Sequence, residues 1–518
     1  MTIRKLFADI AVYGAGDVAV SAVSFLLIPI YTRVLTPTDF GVFALLLTIE
    51  AGSKILLRWG LDSAFIRLYY DCPDRKARQT LASSIVWFLA AVNAPLLLTG
   101  VLAAPWIGES LLGTRAHTDT IRVFFLNTFA LGFSFVPFNV YRVEGRSRRF
   151  ASLTFLRAAG TVALRLALVV FVGMGVFGLV LADLILTAVV YVCVAPTVAE
   201  LLRLRFSWTM LREALGFGLP RVPHGMAHQV TALSDRWVLN AFLSPDQVGV
   251  YAVGSTFGLS VKLFLAAFGY AWTPFAFEAM NRPGAKTLYA RVTIYVTGLL
   301  VLLATVLAAV SEDLVRLMTN PAFHAAGAIV PWIATGVVLQ GFYQTAAMGL
   351  SITKRTALLP VATAAAAVVA VGANLLLVPR FGIVGAAWSN TCAYATLAVV
   401  GYAMSQRVYP IHYDWAKLLS IVVAGIVAYG SAVFLFDHEW TSIARLLLRA
   451  VTATAAYLGI LAGLGVLRPA ELAALLRDRR VLPPSTVDPS PAATDLGADV
   501  IAVSTQEFAD GPKLRKVE

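Results

Sequence analysis

Glu50, Lys54 and Arg58 fall four residues apart and so share one face of a helix. Arg157 and Arg165, eight apart, share a face as well. Arg221, His224, His228 and Asp235 follow one another at spacings of 3, 4 and 7 and form a single stripe. Lys262, Asp17 and Asp183 each stand inside a further apolar run. A charge at the centre of a membrane helix costs at least ~2.5–3.5 kcal/mol, so such side chains face protein or water. Arginine makes bidentate contact with phosphate oxygens, and a stripe of cations can line a wet cavity that accepts an anion. The plainer reading is pairing: Glu50 can neutralise Lys54, and the mixed signs of the third stripe suit interhelix pairs. Arg58 has no local acid partner, and Arg157 and Arg165 have no acid on their own helix. Glu50, Asp17, Asp183 and Asp235 are the candidates for ion coupling, because intramembrane acids can bind Na⁺ or H⁺. For Asp17 an interhelix hydrogen bond is the simpler use. His224 and His228 could share a metal at i, i+4 but have no third ligand nearby. Packing is their default role, and pH sensing the next.

Stripes of this kind need long helices. Apolar residues make up 59% of the 518, charged residues 14%, and the mean hydropathy is +0.78. A soluble surface needs far more charge, whereas a bilayer accepts apolar surface. Runs near twenty residues long read as spans at 11–30, 41–60, 81–105, 123–141, 151–173, 176–195 and 214–239. The series continues at 248–275, 292–310, 325–350, 357–378, 383–404, 418–436 and 443–466. The expectation is an all-α polytopic membrane protein with about 14 transmembrane helices. The first run is too long for a signal-peptide core and lacks a cleavage pattern, so it reads as an uncleaved span.

The net charge of +12 is placed as a membrane protein places it, which argues against nucleic acid as the partner. With a cytoplasmic N-terminus, the cytoplasmic loops hold Arg67, Arg75, Lys76, Arg78, Arg142, Arg146, Arg148, Arg149, Arg203, Arg205 and Arg212. The opposite loops hold Arg33, Arg115, Arg122, Arg316, Arg380 and little else. Both termini are then cytoplasmic. Cys72, Cys193 and Cys392 are too scattered for a disulfide framework or a metal motif.

The chain repeats itself. Val34-Leu35-Thr36-Pro37 leads to Gly41-Val42-Phe43-Ala44, and Phe242-Leu243-Ser244-Pro245 leads to Gly249-Val250-Tyr251-Ala252, an offset of 208. Nearly the same offset relates Gly175-Val176-Phe177-Gly178 to Gly382-Ile383-Val384-Gly385. Six spans per copy make a parallel repeat about an axis along the membrane normal, and two such lobes can enclose a cleft. The expected organisation is a first lobe at 1–205, a second at 206–408, two additional helices at 409–467 and a disordered cytoplasmic tail at 468–518. Pro220, Pro223 and Pro274 interrupt span interiors and are candidates for bends.

Several stretches resemble one family. They are Ile30-Tyr31-Thr32-Arg33-Val34-Leu35-Thr36-Pro37 with Phe40-Gly41, Gly60-Leu61-Asp62 with Ile66-Arg67, and Gly145-Arg146-Ser147-Arg148-Arg149. Gly218-Leu219-Pro220, Asp235-Arg236, Trp272-Thr273-Pro274-Phe275, Asn374 with Pro379-Arg380-Phe381-Gly382, and Gly385-Ala386-Ala387 continue the series. In order and spacing, over roughly residues 5–405, the chain resembles the Wzx-type oligosaccharide flippases of polysaccharide biosynthesis. These belong to the multidrug/oligosaccharidyl-lipid/polysaccharide exporter superfamily. The resemblance implies a MATE-like V-shaped pair of six-helix lobes that alternately face the two sides of a bacterial cytoplasmic membrane. It implies a polyprenyl-diphosphate-linked oligosaccharide as cargo, for O-antigen, capsule or exopolysaccharide, and a polysaccharide polymerase and glycosyltransferases as partners. The fourteen spans also look like the lipid II flippase branch.

Other functions fit less well. A cation-exporting multidrug transporter of the same fold prefers acidic and aromatic lining, and the spans here favour Arg and Lys. A membrane glycosyltransferase or polymerase is expected to carry acids or histidines on a large outer loop. The longest outer loop here, 106–122, holds only Glu109 and Asp119 as acids. A major-facilitator signature is not matched by Gly60-Leu61-Asp62-Ser63-Ala64-Phe65-Ile66-Arg67. There is no P-loop, no nucleotide-binding glycine motif and no Cys/His cluster, so no cofactor, metal or enzymatic activity is expected.

Overall fold

Backbone amides find no water in hydrocarbon, so a chain this apolar satisfies them within helices. The computed structural model describes residues 25, 27–281, 283–436 and 442–466, and these form helices and turns with no strand among them. In chain order the helices are α1 (Ile28–Val34), α2 (Pro37–Arg58), α3 (Leu61–Asp71), α4 (Arg75–Leu112), α5 (Thr118–Phe133) and α6 (Phe135–Val143). Then come α7 (Ser147–Leu166), α8 (Gly175–Leu201), α9 (Trp208–Gly218), α10 (Val222–Phe242), α11 (Pro245–Gly258) and α12 (Lys262–Ala279). The last are α13 (Ala285–Met318), α14 (Val330–Ala346), α15 (Met348–Ile352), α16 (Leu359–Val408), α17 (Trp415–Leu435) and α18 (Ser442–Gly463). A π-helical turn, Ala167–Phe171, extends α7, and 3-10 turns at Leu219–Arg221 and Leu259–Val261 join α9 to α10 and α11 to α12. Residues up to Ile460 form one compact unit, and the second, from Leu461, is described to Val466.

Among the described residues, 11 helical stretches are long and apolar enough to cross a membrane. Most of the predicted first span and all of the predicted tail at 468–518 lie outside the described residues. The spans predicted at 357–378 and 383–404 both fall, from Leu359 onward, in α16, whose backbone breaks at Gly382 (φ 57°, ψ −134°). A side chain strains that positive φ, so glycine takes the corner. The span predicted at 214–239 is divided: α9 ends at Gly218, and Pro220 and Pro223 sit at the starts of the turn and of α10. These prolines punctuate helices, because a missing N–H costs nothing in a first turn. Pro274 stays inside α12.

The repeated motifs start helices. Thr36 Oγ1 accepts from Asp39 N at 3.2 Å while the Asp39 carboxylate accepts from Thr36 N at 3.0 Å, a capping box with Pro37 at the first helical position. Pro245 likewise stands at the start of α11, though Ser244 makes no side-chain cap bond there. The two helices then share one core. Ala44 and Leu45 pack in a cluster with Val248, Val250, Tyr251 and Phe257, sealed by Phe323 and Ile329. Large apolar side chains also face outward, among them Phe171, Val192 and Phe434. Such exposure is expected of a surface solvated by lipid tails.

Candidate functional site

The stripe on α2 is resolved into a pair and a lone cation. Lys54 pairs with Glu50, one turn away, and Glu50 is buried. Arg58, a further turn on, has no ion-pair partner within 4 Å among the described residues. Its Nη2 donates to Leu131 O at 3.4 Å, its Nε has no hydrogen-bond partner, and its guanidinium lies 5.7 Å from the centre of the Phe135 ring. On α7 the two arginines part company. Arg165 is held by Asp183 of α8 through a fork of two bonds, Nε–Oδ1 at 3.0 Å and Nη2–Oδ2 at 2.7 Å, and stacks over Phe43. Arg157, two turns earlier, has no ion pair among the described residues. It lines a small crevice with Leu131, Ser134, Thr187 and Tyr191.

Tyr191 lies in the fields of both Arg58 and Arg157, and the two cations also act on each other. Its hydroxyl donates to Ala130 O at 2.6 Å, and Thr187 donates to Asn127 Oδ1 at 2.8 Å. The crevice therefore brings the half-buried guanidinium of Arg157 beside hydroxyls, with the half-buried Arg58 close by on Leu131 O and no neutralising carboxylate in contact with either. Bidentate donors so arranged can take the oxygens of a phosphate. The crevice holds little more than a water molecule, so a diphosphate needs the helices to part.

Elsewhere, close backbone contacts hold α2 against α11 and α9. A Cβ on Gly41 would stand 1.8 Å from Pro245 O, and a Cβ on Gly249 would stand 1.9 Å from Pro37 O. Thr38 donates to the Asp246 carboxylate at the same place. The two helix starts thus meet backbone to backbone through residues that are 208 positions apart, the offset of the repeat. Just past the far end of α2, a Cβ on Gly60 would lie 2.2 Å from Gly218 O. Trp59 and Gly60 both take left-handed backbone there (φ 53° and 69°). The 22 residues of α2 span roughly 33 Å at 1.5 Å each, so the two contacts stand about one hydrocarbon thickness apart.

The third stripe is dispersed. Arg221 is exposed and lies over the Phe217 ring at 4.7 Å. His228 is exposed on α10, and of His224 only the backbone is described. Asp235 is buried, accepting from Tyr251 Oη at 2.5 Å and from Arg236 N at 2.8 Å. Lys262, half-buried, begins α12 and has no ion pair within 4 Å among the described residues. Asp17 lies outside the described residues. No cluster of three or more metal-ligating side chains occurs among the described residues.

One ionic site was missed by sequence reasoning. Asp313, at the end of α13, receives Arg445 at 2.5 Å and Arg449 at 3.1 Å, both from α18. Asp313 is 1% exposed and Arg449 5%. The available signal was the i, i+4 spacing of the two arginines within an apolar run. Tyr191 and Asn127 carried none, because single polar residues in spans are ordinary.

The chain resembles known proteins in sequence and in fold. Residues 30–319, more than half of the chain, match the model of a family described as "Polysaccharide biosynthesis protein". A curated relative, Lsg locus putative protein 1 of Haemophilus influenzae, is 22% identical over 284 residues, which are 54% of this chain and 67% of that protein. Among solved structures, the lipid II flippase MurJ in its inward closed conformation matches with a TM-score of 0.70 and 12% identity, over 86% of this chain and 97% of that one. An inward-facing multidrug resistance MATE family transporter of the MOP superfamily matches with a TM-score of 0.56 and 16% identity, over 74% and 93%. At such identities the likeness is one of fold. With that fold, and a family match over residues 30–319, this chain is a membrane protein of the polysaccharide biosynthesis family.

Proposed function

We propose that the chain is a flippase that moves a polyprenyl-diphosphate-linked oligosaccharide from the cytoplasmic to the outer leaflet of the bacterial cytoplasmic membrane, for surface polysaccharide synthesis. The observation that carries this reading is the pair Arg58 and Arg157, half-buried around Tyr191 with no acid in contact among the described residues. A cation left unpaired at membrane depth costs free energy, and an anionic headgroup offsets that cost when it arrives. Lys54 and Arg165 are already neutralised, so they shape the site rather than receive the diphosphate. Lys262 is a third cation for the sugar-phosphate headgroup as the cleft opens. No covalent bond is made or broken, and the reading needs no cofactor.

The cleft lies between a lobe at 1–205 and one at 206–408, with the Gly60–Gly218 contact facing the cytoplasm and the Gly41–Pro245 contact facing outward. Parting one contact while keeping the other gives alternating access. Helices 409–467 stand outside this exchange. Energy comes from an ion gradient or the membrane potential, with Glu50, Asp183 and Asp235 as the described candidate acids, and not from ATP. A multidrug exporter of cations would be repelled by this lining. Lipid II, with the same class of anchor, is the alternative cargo.

The test is the double variant Arg58→Ala/Arg157→Ala, expressed at the parent level. Surface polysaccharide should be lost and lipid-linked oligosaccharide should accumulate inside the cell. Normal export from the well-expressed variant would remove both residues from the mechanism. Accumulation of lipid II instead would reassign the cargo.

A further inference from the structure

The segment that joins α8 to α9 reads Leu202-Arg203-Leu204-Arg205-Phe206-Ser207, followed by Trp208 as the first residue of α9. It is neither helix nor strand, yet its backbone is pinned. Ser83 Oγ accepts from Arg203 N at 2.9 Å, and Ser84 Oγ accepts from Ser207 N at 2.8 Å. Trp87 Nε1 donates to Arg203 O at 3.1 Å, and Gln79 donates to Glu200 O at 2.7 Å. All four partners stand on α4, and the two serines are fully buried. Polar groups buried on one helix are thus spent on fixing a connector in one path.

That path turns apolar side chains outward. Leu204 is 93% exposed, Trp208 61% and Phe206 55%. They alternate with Arg203 and Arg205, both exposed, and Arg212 is exposed one turn into α9. Arg203 also caps α8 by donating to Ala199 O at 2.7 Å. Neither Arg205 nor Arg212 has an ion pair within 4 Å among the described residues, whereas Glu200 is occupied by Arg75. Water would leave three large apolar groups unburied on a connector that is held rigid. Leu204 stands only three residues beyond Leu201, the last residue of a helix long and apolar enough to span a membrane. Tryptophan and arginine side by side at that depth are the composition of a membrane interface.

We propose that residues 202–208, with Arg212, form a strap that lies in the bilayer interface and recognises anionic phospholipid headgroups. Leu204, Phe206 and Trp208 enter the acyl boundary while Arg203, Arg205 and Arg212 meet the phosphates. Each arginine favours an anionic surface by roughly fivefold. The inference does not depend on the cargo, and it stands or falls apart from the export assay.

The test places a nitroxide label at Leu204→Cys in full-length protein whose exposed Cys193 and Cys392 are replaced by Ser, the buried Cys72 being kept. Protein is placed in vesicles of phosphatidylcholine, with or without phosphatidylglycerol. Collision of the label with oxygen and with a water-soluble nickel chelate reports depth. The label should be open to oxygen and shielded from nickel, and phosphatidylglycerol should increase the shielding severalfold. Arg203→Gln/Arg205→Gln/Arg212→Gln should abolish that increase. As a second measurement, brominated lipid should quench the parent more than Trp208→Phe. Full access to nickel, unchanged by lipid charge, would put the strap in water and overturn the proposal. Spin–spin broadening between molecules would assign the strap to contact with a second copy and overturn it equally.

Discussion

Gly41→Ala should weaken the protein, although the same change in a free helix strengthens one by about 1 kcal/mol. The added carbon would stand 1.8 Å from Pro245 O. Non-bonded heavy atoms need about 3.5 Å, so the starts of α2 and α11 must part by nearly 2 Å there. Overpacking of this kind costs about 1–3 kcal/mol. Gly249→Ala meets Pro37 O at 1.9 Å and should cost about as much, since it acts on the same contact from the other side. The pair should not add. Once one alanine has separated the helices, the second finds space and contributes only its helix preference, so the double variant should resemble either single. Thermal unfolding in detergent measures the stability. Disulfide trapping between Thr38→Cys and Asp246→Cys, which touch in the parent, measures the separation. Gly41→Ala with parental stability and parental cross-linking would refute the reasoning, and so would strict additivity.

Asp313→Asn removes the carboxylate from two arginines where Asp313 is 1% exposed, and breaking such a buried site costs about 3–5 kcal/mol. Asp183→Asn should lower the melting temperature less, because its side chain is 17% exposed beside Arg165; equal losses would show that burial does not set the cost. Cys72 lies outside the spans, and burial pushes its thiol up from the ordinary value. The thiolate is the reactive form, so a water-soluble maleimide should spare Cys72 at neutral pH and react faster as pH rises beyond the ordinary thiol range. Rapid labelling at neutral pH would contradict that environment.

The helices were legible because a bilayer demands apolar runs of a given length, and composition alone supplies them. The corner at Gly382 was legible too, since Pro379-Arg380-Phe381-Gly382 separated two apolar runs. The break between α9 and α10 was not, because Pro220 and Pro223 read equally well as bends within one span. Of the charges, Glu50 with Lys54 could be paired on spacing alone. Arg165 with Asp183 could not, because it depends on which faces of α7 and α8 meet. Asp313 and Arg445 are 132 positions apart, and no local pattern connects them. The repeat was plain in the sequence, yet its consequence at Gly41 was hidden: a glycine in a helix looks neutral until another backbone lies against it.

The meeting of Gly41 with Pro245 and of Gly249 with Pro37 is reciprocal: each element touches its counterpart as it is touched. Contacts of that form are isologous, the kind made by two identical subunits about a two-fold axis. Within this single chain the same form of contact sets the starts of α2 and α11 about a local two-fold axis, so neither start can shift without its counterpart yielding equally.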